Sequence, residues 1–320
     1  MDIKSSFQIG SLTLPHRLIQ GPLAGFTCAP YRAQFAAFQR PAYCVSEMIS
    51  AHDLLYRQPP RFVSRDPAEA QLAYQLCGHD PDIMARAAEI LAAMGADLID
   101  INCGCPKTKI RKKGSGSALL ANPDRLIQII TAIKARIRIP VTVKIRSQES
   151  VQDVALAVAI EQAGADGLIV HGRRWQDDYA QPCNRQSIAE IKRAVTIPVI
   201  ANGDISDHVS LQTMIRETGC DAYMISRAGT GRPWLYAALL DPEAKVAEQW
   251  QYEHAVYYFM QHLRGLAQLQ NEHLALLQSK TLARYYFRFW FAREHLQIYY
   301  QLDSLSQIEQ YLRTFTSGEL

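Results

Sequence analysis

The chain reads as an α/β protein, a (β/α)8 barrel of the TIM type followed by a C-terminal all-helical domain. Three observations predict this. A helix–turn–strand unit recurs, since IKARIRIPVTVKI at 133–145 is echoed by IKRAVTIPVIANG at 191–203. A glycine-led strand entry recurs as GADLIDI at Gly95, GADGLIV at Gly164 and GCDAYMI at Gly219. Strand signals then stop near Pro233, and Leu, Tyr and Phe take over at helical spacing. Repeated helix-to-strand units imply a parallel sheet with crossover helices.

Taken in order, the expected strands are 17–22, 42–48, 72–77, 98–102, 141–146, 167–172, 199–202 and 222–226. Most are near-continuous apolar runs, as strands covered on both faces should be. Helical patterns such as 82–94 and 151–163 separate them. Glycine at 95, 164 and 219 suits a left-handed helix cap just before each strand. Eight such strands favour a closed barrel. A doubly wound open sheet is the runner-up, but no Gly-x-Gly-x-x-Gly follows the first strand. Helices are expected at 248–270, 274–295 and 305–315, which divides the chain into a barrel domain at 1–235 and a helical domain at 236–320. The aromatic stripe Tyr285, Tyr286, Phe289 and Trp290 reads as core of that second domain.

Composition narrows the function. The 320 residues are 48% hydrophobic and 20% charged, an ordinary globular balance with material for a large core. No apolar run is long enough for a membrane span, and the N-terminus lacks the pattern of an export signal. Seven scattered cysteines, an odd number, fit reduced thiols. A cytoplasmic protein without membrane attachment is expected. Net charge is only +3, so no global basic field marks a nucleic-acid binder. Charge is instead local: Lys107, Lys109, Arg111, Lys112 and Lys113 cluster with no acid among them.

In such a barrel, active residues gather at the C-terminal ends of strands. The first strand ends in Gly21-Pro22-Leu23-Ala24-Gly25, small enough for a flat ligand to approach the backbone. The third carries Gln75, and the fourth Asn102 leading to Cys105. The fifth carries Lys144 and Arg146 within VTVKIR. The last three end in His171-Gly172-Arg173, Asn202-Gly203-Asp204 and Ser226-Arg227. A lysine in an apolar strand is costly unless paired or facing a ligand. An ion pair with Glu47 is the structural alternative for Lys144. Gln75 suits the polar edge of a heterocycle, and Lys144 suits negative charge on a reduced ring. Asn202, Gly203, Asp204 and Arg227 suit a phosphate. Flavin mononucleotide fits this list better than a phosphosugar. A structural zinc at Cys103 and Cys105 lacks a second closely spaced pair, so no metal is expected. Cys103 reads as packing, and Cys105 as an exposed, reactive thiol.

The sequence resembles the tRNA-dihydrouridine synthase family of flavoproteins, most closely its bacterial B type. The resemblance is carried by GPLAGFT from Gly21, VSEM from Val45, YQLCG from Tyr74, DINCGCP from Asp100, GSALL from Gly116, VTVKIR from Val141, VHGR from Val170, PVIANGDI from Pro198 and GRPW from Gly231. It implies FMN at the barrel mouth and reduction by NADPH. Pro22, Leu23 and Ala24 would contact FMN through backbone, Gln75 and Lys144 would lie on the ring system with His171 nearby, and Asn202, Gly203, Asp204, Ser226 and Arg227 would hold the phosphate. It implies hydride transfer to C6 of a uracil in tRNA and a proton to C5 from Cys105, with Asn102 and Arg146 facing the base. The target base would be flipped out, and the basic run 107–113 would hold phosphates around it. A monomer is expected. The chain departs from the family at Gly21-Pro22-Leu23 (usually Ala-Pro-Met), at Ser226 (usually Gly), at Arg174 (usually Thr), and at Asn184-Arg185, where Asp-Trp is common. The basic helix motif is also altered, with Arg284 and Arg288 set among aromatics. A related flavin barrel acting on a free pyrimidine, and a tRNA-binding chaperone without catalysis, are the rival readings.

Overall fold

The computed structural model describes residues 2–57, 60–69 and 71–315, so both ends of the expected two-domain division lie outside it. Eight parallel strands form the barrel: β1 (Leu18–Gln20), β2 (Tyr43–Val45), β3 (Gln71–Cys77), β4 (Leu98–Cys103), β5 (Val141–Arg146), β6 (Gly167–His171), β7 (Val199–Asn202) and β8 (Ala222–Ile225). They run in the order β2-β1-β8-β7-β6-β5-β4-β3, and β3 pairs back onto β2, so the sheet closes on itself. The open doubly wound sheet is thereby excluded. Gly95, Gly164 and Gly219 have φ of +87°, +93° and +61°, the left-handed geometry that ends each helix before its strand.

Strand alternation then decides what fills the barrel. Ile99, Ile101 and Cys103 face the helices, while Leu98 joins the inner cluster with Ala73, Ile169, Ile200, Ala222 and Met224. The residues two further along share that inward parity, and there the composition turns polar. The buried Gln75, Asp100, Asn102, Thr142, His171 and Asn202 and the half-buried Lys144 follow the apolar layer. Register sets them side by side: Gln75 opposite Asp100, Asp100 opposite Thr142, Asn102 opposite Lys144, and His171 opposite Asn202.

An antiparallel hairpin, Phe7–Ile9 with Leu12–Leu14, was not among the expected elements. Its Phe7, Ile9 and Leu14 belong to the inner apolar cluster and plug the N-terminal end of the barrel. Gly10 at φ +54° followed by Ser11 makes the two-residue turn. A short strand, Ile49–Ser50, also pairs with β3.

After β8 the chain is helical. The expected boundary at 235 falls at the start of helix Leu235–Leu240, which still packs on the barrel, with the Tyr236 hydroxyl donating to Gln20 Oε1 at 2.6 Å. Helices Tyr252–Leu269, Glu272–Tyr286, Arg293–Tyr299 and Leu305–Leu312 follow. The single helix expected over 274–295 is thus two. Neither Gly nor Pro breaks it. Tertiary contacts do: Arg288 turns back to donate to the carbonyls of Tyr285 and Thr230, and Phe287 stacks on Phe291 with centroids 4.7 Å apart. The first of these helices docks on the barrel where Gly265 meets Pro30; a Cβ there would lie 2.5 Å from Pro30 Cβ. A buried polar chain joins the two parts, from Cys28 Sγ to His262 Nε2 (3.3 Å), His262 Nδ1 to Tyr286 Oη (3.1 Å), and Tyr286 Oη donating to Gln34 Oε1 (2.8 Å). Among the described residues no helix is long and apolar enough to cross a membrane.

Candidate active site

With its N-terminal end plugged, the barrel presents its polar residues at the C-terminal ends of its strands. A cavity of about 760 Å³ lies there, a size suited to a nucleotide-sized ligand. Pro22, Leu23, Ala24, Gln75, Asn102, Cys105, Lys107, Lys144, Arg146, His171, Asn202, Gly203, Asp204, Ser226 and Arg227 all line it. Lys109, Arg111, Lys112 and Lys113 do not. Lys109, Lys112 and Lys113 are exposed on and just after the short helix Thr108–Arg111, beside the mouth. Arg111 turns aside and is half-buried, its guanidinium 3.1 Å from the centre of the Trp175 ring.

The floor is a hydrogen-bonded polar layer. Gln75 Nε2 donates to Asp100 Oδ2 at 2.7 Å, and Asn102 Nδ2 donates to Gln75 Oε1 at 2.8 Å. Lys144 Nζ donates to Asn202 Oδ1 at 2.9 Å. The Glu47 alternative for Lys144 is not what forms. Glu47 accepts two bonds from Arg61, at 2.7 and 3.0 Å, and one from the backbone of Gly25. Burial pushes the Lys144 ammonium down to about 8, partly opposed by Asp100. Burial likewise raises Asp100 to about 6.

One wall is cationic. Burial first, then Lys144, Arg146, Arg173 and Arg227, hold His171 well below its ordinary value. Arg173 Nη1 lies 3.2 Å from His171 Nε2, and since a guanidinium only donates, the neutral ring carries its proton on Nδ1. Arg173 is itself buried and grips both oxygens of Asp204 at 2.7 Å, so that carboxylate is already committed. Arg227 stacks on Tyr179 with 3.6 Å from guanidinium to ring centre. Gly203 and Asp204, at φ +132° and +52°, turn the chain at this end.

Several lining residues carry no site role from the sequence: Met48, Tyr179, Arg232, Tyr285 and Arg288, with Arg173 noted only as a strand-end residue. Tyr285 and Arg288 come from the helical segment. The aromatic stripe is therefore not uniformly core. Tyr286 is buried, Tyr285 faces the cavity, Trp290 is half-buried and Phe289 is exposed. Burial first, and then Arg232 beside it, lower Arg288 to about 10. Two like charges share this part of the cavity, which favours an anionic occupant. Arg173 had a local signal, its place just past β6. Arg232 also had one, in the GRPW stretch just past β8, where its Nε donates to the Ala228 carbonyl at 2.7 Å. Arg288 had none, because only the packing of the helical segment brings it to the mouth.

The departures at 21 and 226 explain each other. A Cβ on Gly21 would run into Ser226 Oγ and into the Met224 side chain. Ser226 and Met224 together leave room only for glycine there. Gly21→Ala is expected to cost roughly 1–3 kcal/mol by overpacking, and Ser226→Gly added to it should recover part of that. Denaturant midpoints of the two single variants and the double measure the coupling, and strict additivity would sink the idea. Arg174 and Arg185 sit in surface ion pairs with Asp177 and Glu217, and the Arg174 carbonyl accepts from Arg146 Nη1 at 3.0 Å.

The donor set, with amides and a lysine in the floor and arginines on one wall, suits a flavin nucleotide. The profile of the dihydrouridine synthase family matches residues 19–316. The chain belongs to that family. Dihydrouridine synthases are flavin-dependent oxidoreductases, and this chain is one of them. It is 39% identical to tRNA-dihydrouridine synthase B of Pseudomonas aeruginosa over 237 residues, covering 72% of this chain and 71% of that protein. The synthase B of Yersinia pestis is 40% identical, covering 72% and 73%. A probable tRNA-dihydrouridine synthase of Synechocystis is 40% identical, covering 71% and 65%. Among solved structures, a 2-naphthoyl-CoA reductase superposes with a TM-score of 0.62 at 11% identity, covering 75% of this chain and 52% of its own. A morphinone reductase gives 0.56 at 14%, covering 75% and 90%. These two share the barrel fold, and the chain spans about half of the first.

Proposed function

We propose that this synthase uses FMN and NADPH to reduce the 5,6 double bond of a D-loop uridine in tRNA, with Cys105 as general acid. The observation that carries the reading is the placement of one half-buried thiol, Cys105, on the rim of a cavity whose other walls are Gln75, Asn102, Lys144 and a row of arginines. The names of the relatives supply the substrate. When bound, FMN supplies the hydride that goes to C6 of the uracil.

The chain's own residues do the rest. Gln75 and Lys144 bind the polar edge of the ring system, and Lys144 stabilises negative charge there. Backbone at Pro22, Leu23 and Ala24 borders it. Asn202, Gly203, Ser226 and Arg227 hold the phosphate, while Asp204 anchors Arg173 rather than meeting an anion itself. Asn102 and Arg146 orient the uracil. Cys105 then gives its proton to C5. A neutral His171 adds no further cation to the wall.

The exposed lysines beside the mouth hold RNA phosphates. Replacing Lys107, Lys109, Lys112 and Lys113 by alanine is expected to weaken tRNA binding. The salt dependence should flatten by about 0.7–0.9 for each phosphate no longer neutralised. Binding titrations at several salt concentrations read the slope, and an unchanged slope would remove these lysines from the interface.

The test of the function is a mass-spectrometric map of dihydrouridine after incubation with NADPH and tRNA, both transcribed and from a synthase-deficient strain. A gain of two hydrogens at a D-loop uridine is expected. No gain on either tRNA, from protein whose flavin NADPH does reduce, overturns the reading and moves free pyrimidines to the front.

A further inference from the structure

The polar floor of the cavity runs in one direction. It starts at Asp100, wholly buried and beneath the cavity rather than on its wall. Thr142 Oγ1 donates to Asp100 Oδ1 at 2.7 Å, and Gln75 Nε2 donates to Oδ2 at 2.7 Å. Gln75 Oε1 then accepts from Asn102 Nδ2 at 2.8 Å. Asn102 Oδ1 in turn accepts the backbone N–H groups of Gly104 and Cys105, at 3.2 and 3.0 Å.

The two ends force the direction. Backbone N–H groups only donate, and an ionised carboxylate only accepts. Between them each amide has one workable orientation. Turning Asn102 over would set its NH2 against two N–H groups. Turning Gln75 over would set a carbonyl against a carboxylate. Strand register supplies the spacing, with Gln75 and Thr142 paired on either side of Asp100. Gln75 and Asn102 each keep one uncommitted amide N–H, so both offer a donor to a ligand.

We infer that Asp100 is a positioning residue of this site: through Gln75 and Asn102 its carboxylate holds the Cys105 loop and fixes the donor face that the two amides present. The inference deepens the proposed role of Cys105 and rests on it. Asp100 touches neither ligand nor loop. It acts as an acceptor at the root of the chain. Its partner Thr142 has a hydroxyl that can donate or accept. An asparagine at 100 can therefore turn its NH2 to Thr142 and keep its oxygen on Gln75. Alanine offers Gln75 nothing.

The test compares Asp100→Asn with Asp100→Ala. In each, Cys105 alkylation by iodoacetamide is followed by mass spectrometry on apoprotein, and the two half-reactions are timed separately on flavin-loaded protein. Asp100→Ala is expected to speed Cys105 alkylation by about threefold or more as the loop loosens. It should slow dihydrouridine formation roughly 10- to 100-fold through misplacement of the acid, and slow flavin reduction by NADPH less. Asp100→Asn should stay near wild type in alkylation, and its flavin half-reaction should weaken only as far as Lys144 loses the carboxylate that supports its charge. An unchanged Asp100→Ala overturns the inference. So does an Asp100→Asn whose alkylation speeds as far as that of Asp100→Ala, because charge rather than hydrogen-bond direction would then hold the loop. Thr142→Val removes one anchor of the same carboxylate and serves if Asp100→Ala does not fold. A smaller shift in alkylation is expected there, and none overturns the inference. The alkylation arm needs neither tRNA nor flavin, so it judges this inference even where no dihydrouridine forms.

Discussion

Cys105→Ala is expected to slow dihydrouridine formation by roughly 10²–10⁴, the range a positioned general acid contributes, while flavin reduction by NADPH stays within about twofold. The thiol is suited to the task by its surroundings. Of the seven cysteines it alone is not buried. Its N–H is tied to Asn102 and its carbonyl accepts from Ser117 N at 3.1 Å. Gly116, at φ +62°, lies so close beneath that an added Cβ would meet the Cys105 carbonyl at 2.9 Å. The loop is thus pinned on both sides and the thiol held at the cavity rim. Cys105→Ser should fall between wild type and alanine, since a hydroxyl fits the space but is a far weaker acid. Stopped-flow absorbance separates the half-reactions. Equal losses in both would show that Cys105 matters for holding the flavin, and no loss in either would remove it from the chemistry.

The legible part of the molecule is the part written in short-range pattern. Near-continuous apolar runs, three of them preceded by a glycine cap, located all eight barrel strands, and the polar residues at their ends are brought to one cavity because strand parity leaves them no other place. The hairpin at Phe7–Ile9 and Leu12–Leu14 was also written locally, in the alternation around Gly10 and Ser11. Its function as a plug could not be, because that depends on the closed barrel it fills. The break after Tyr286 has no local cause and follows from where Arg288 finds its carbonyl partners. The same packing carries Tyr285 and Arg288 to the mouth. The cationic wall therefore draws on strand ends and on the helical segment together, and only the first contribution can be read from spacing.

That wall also sets the second large expectation, for Lys144. Its ammonium is buried in the floor, bonded to Asn202, with the ionised Asp100 the only carboxylate that raises it. Burial wins, and the group titrates at about 8 instead of its ordinary value of 10.5. Between those values the unfolded chain binds a proton that the ligand-free folded chain does not. Stability of the ligand-free protein should accordingly rise with pH through that window, and the burial penalty is fully present below it. Anion binding has the opposite sign, because a neutral amine attracts no phosphate or reduced ring. Affinity for FMN should hold steady from pH 7 to about 8 and weaken above it. Lys144→Met keeps the length and removes the charge. It is expected to weaken FMN binding at pH 7 and to slow flavin reduction roughly 10²- to 10³-fold, as loss of a preorganised charge does. Its affinity should then be flat across the alkaline window. Fluorescence titration of FMN into apoprotein between about pH 7 and 9.5 reads both effects. A Lys144→Met protein that keeps the wild-type pH dependence would assign the titration to another group and leave Lys144 a purely structural residue.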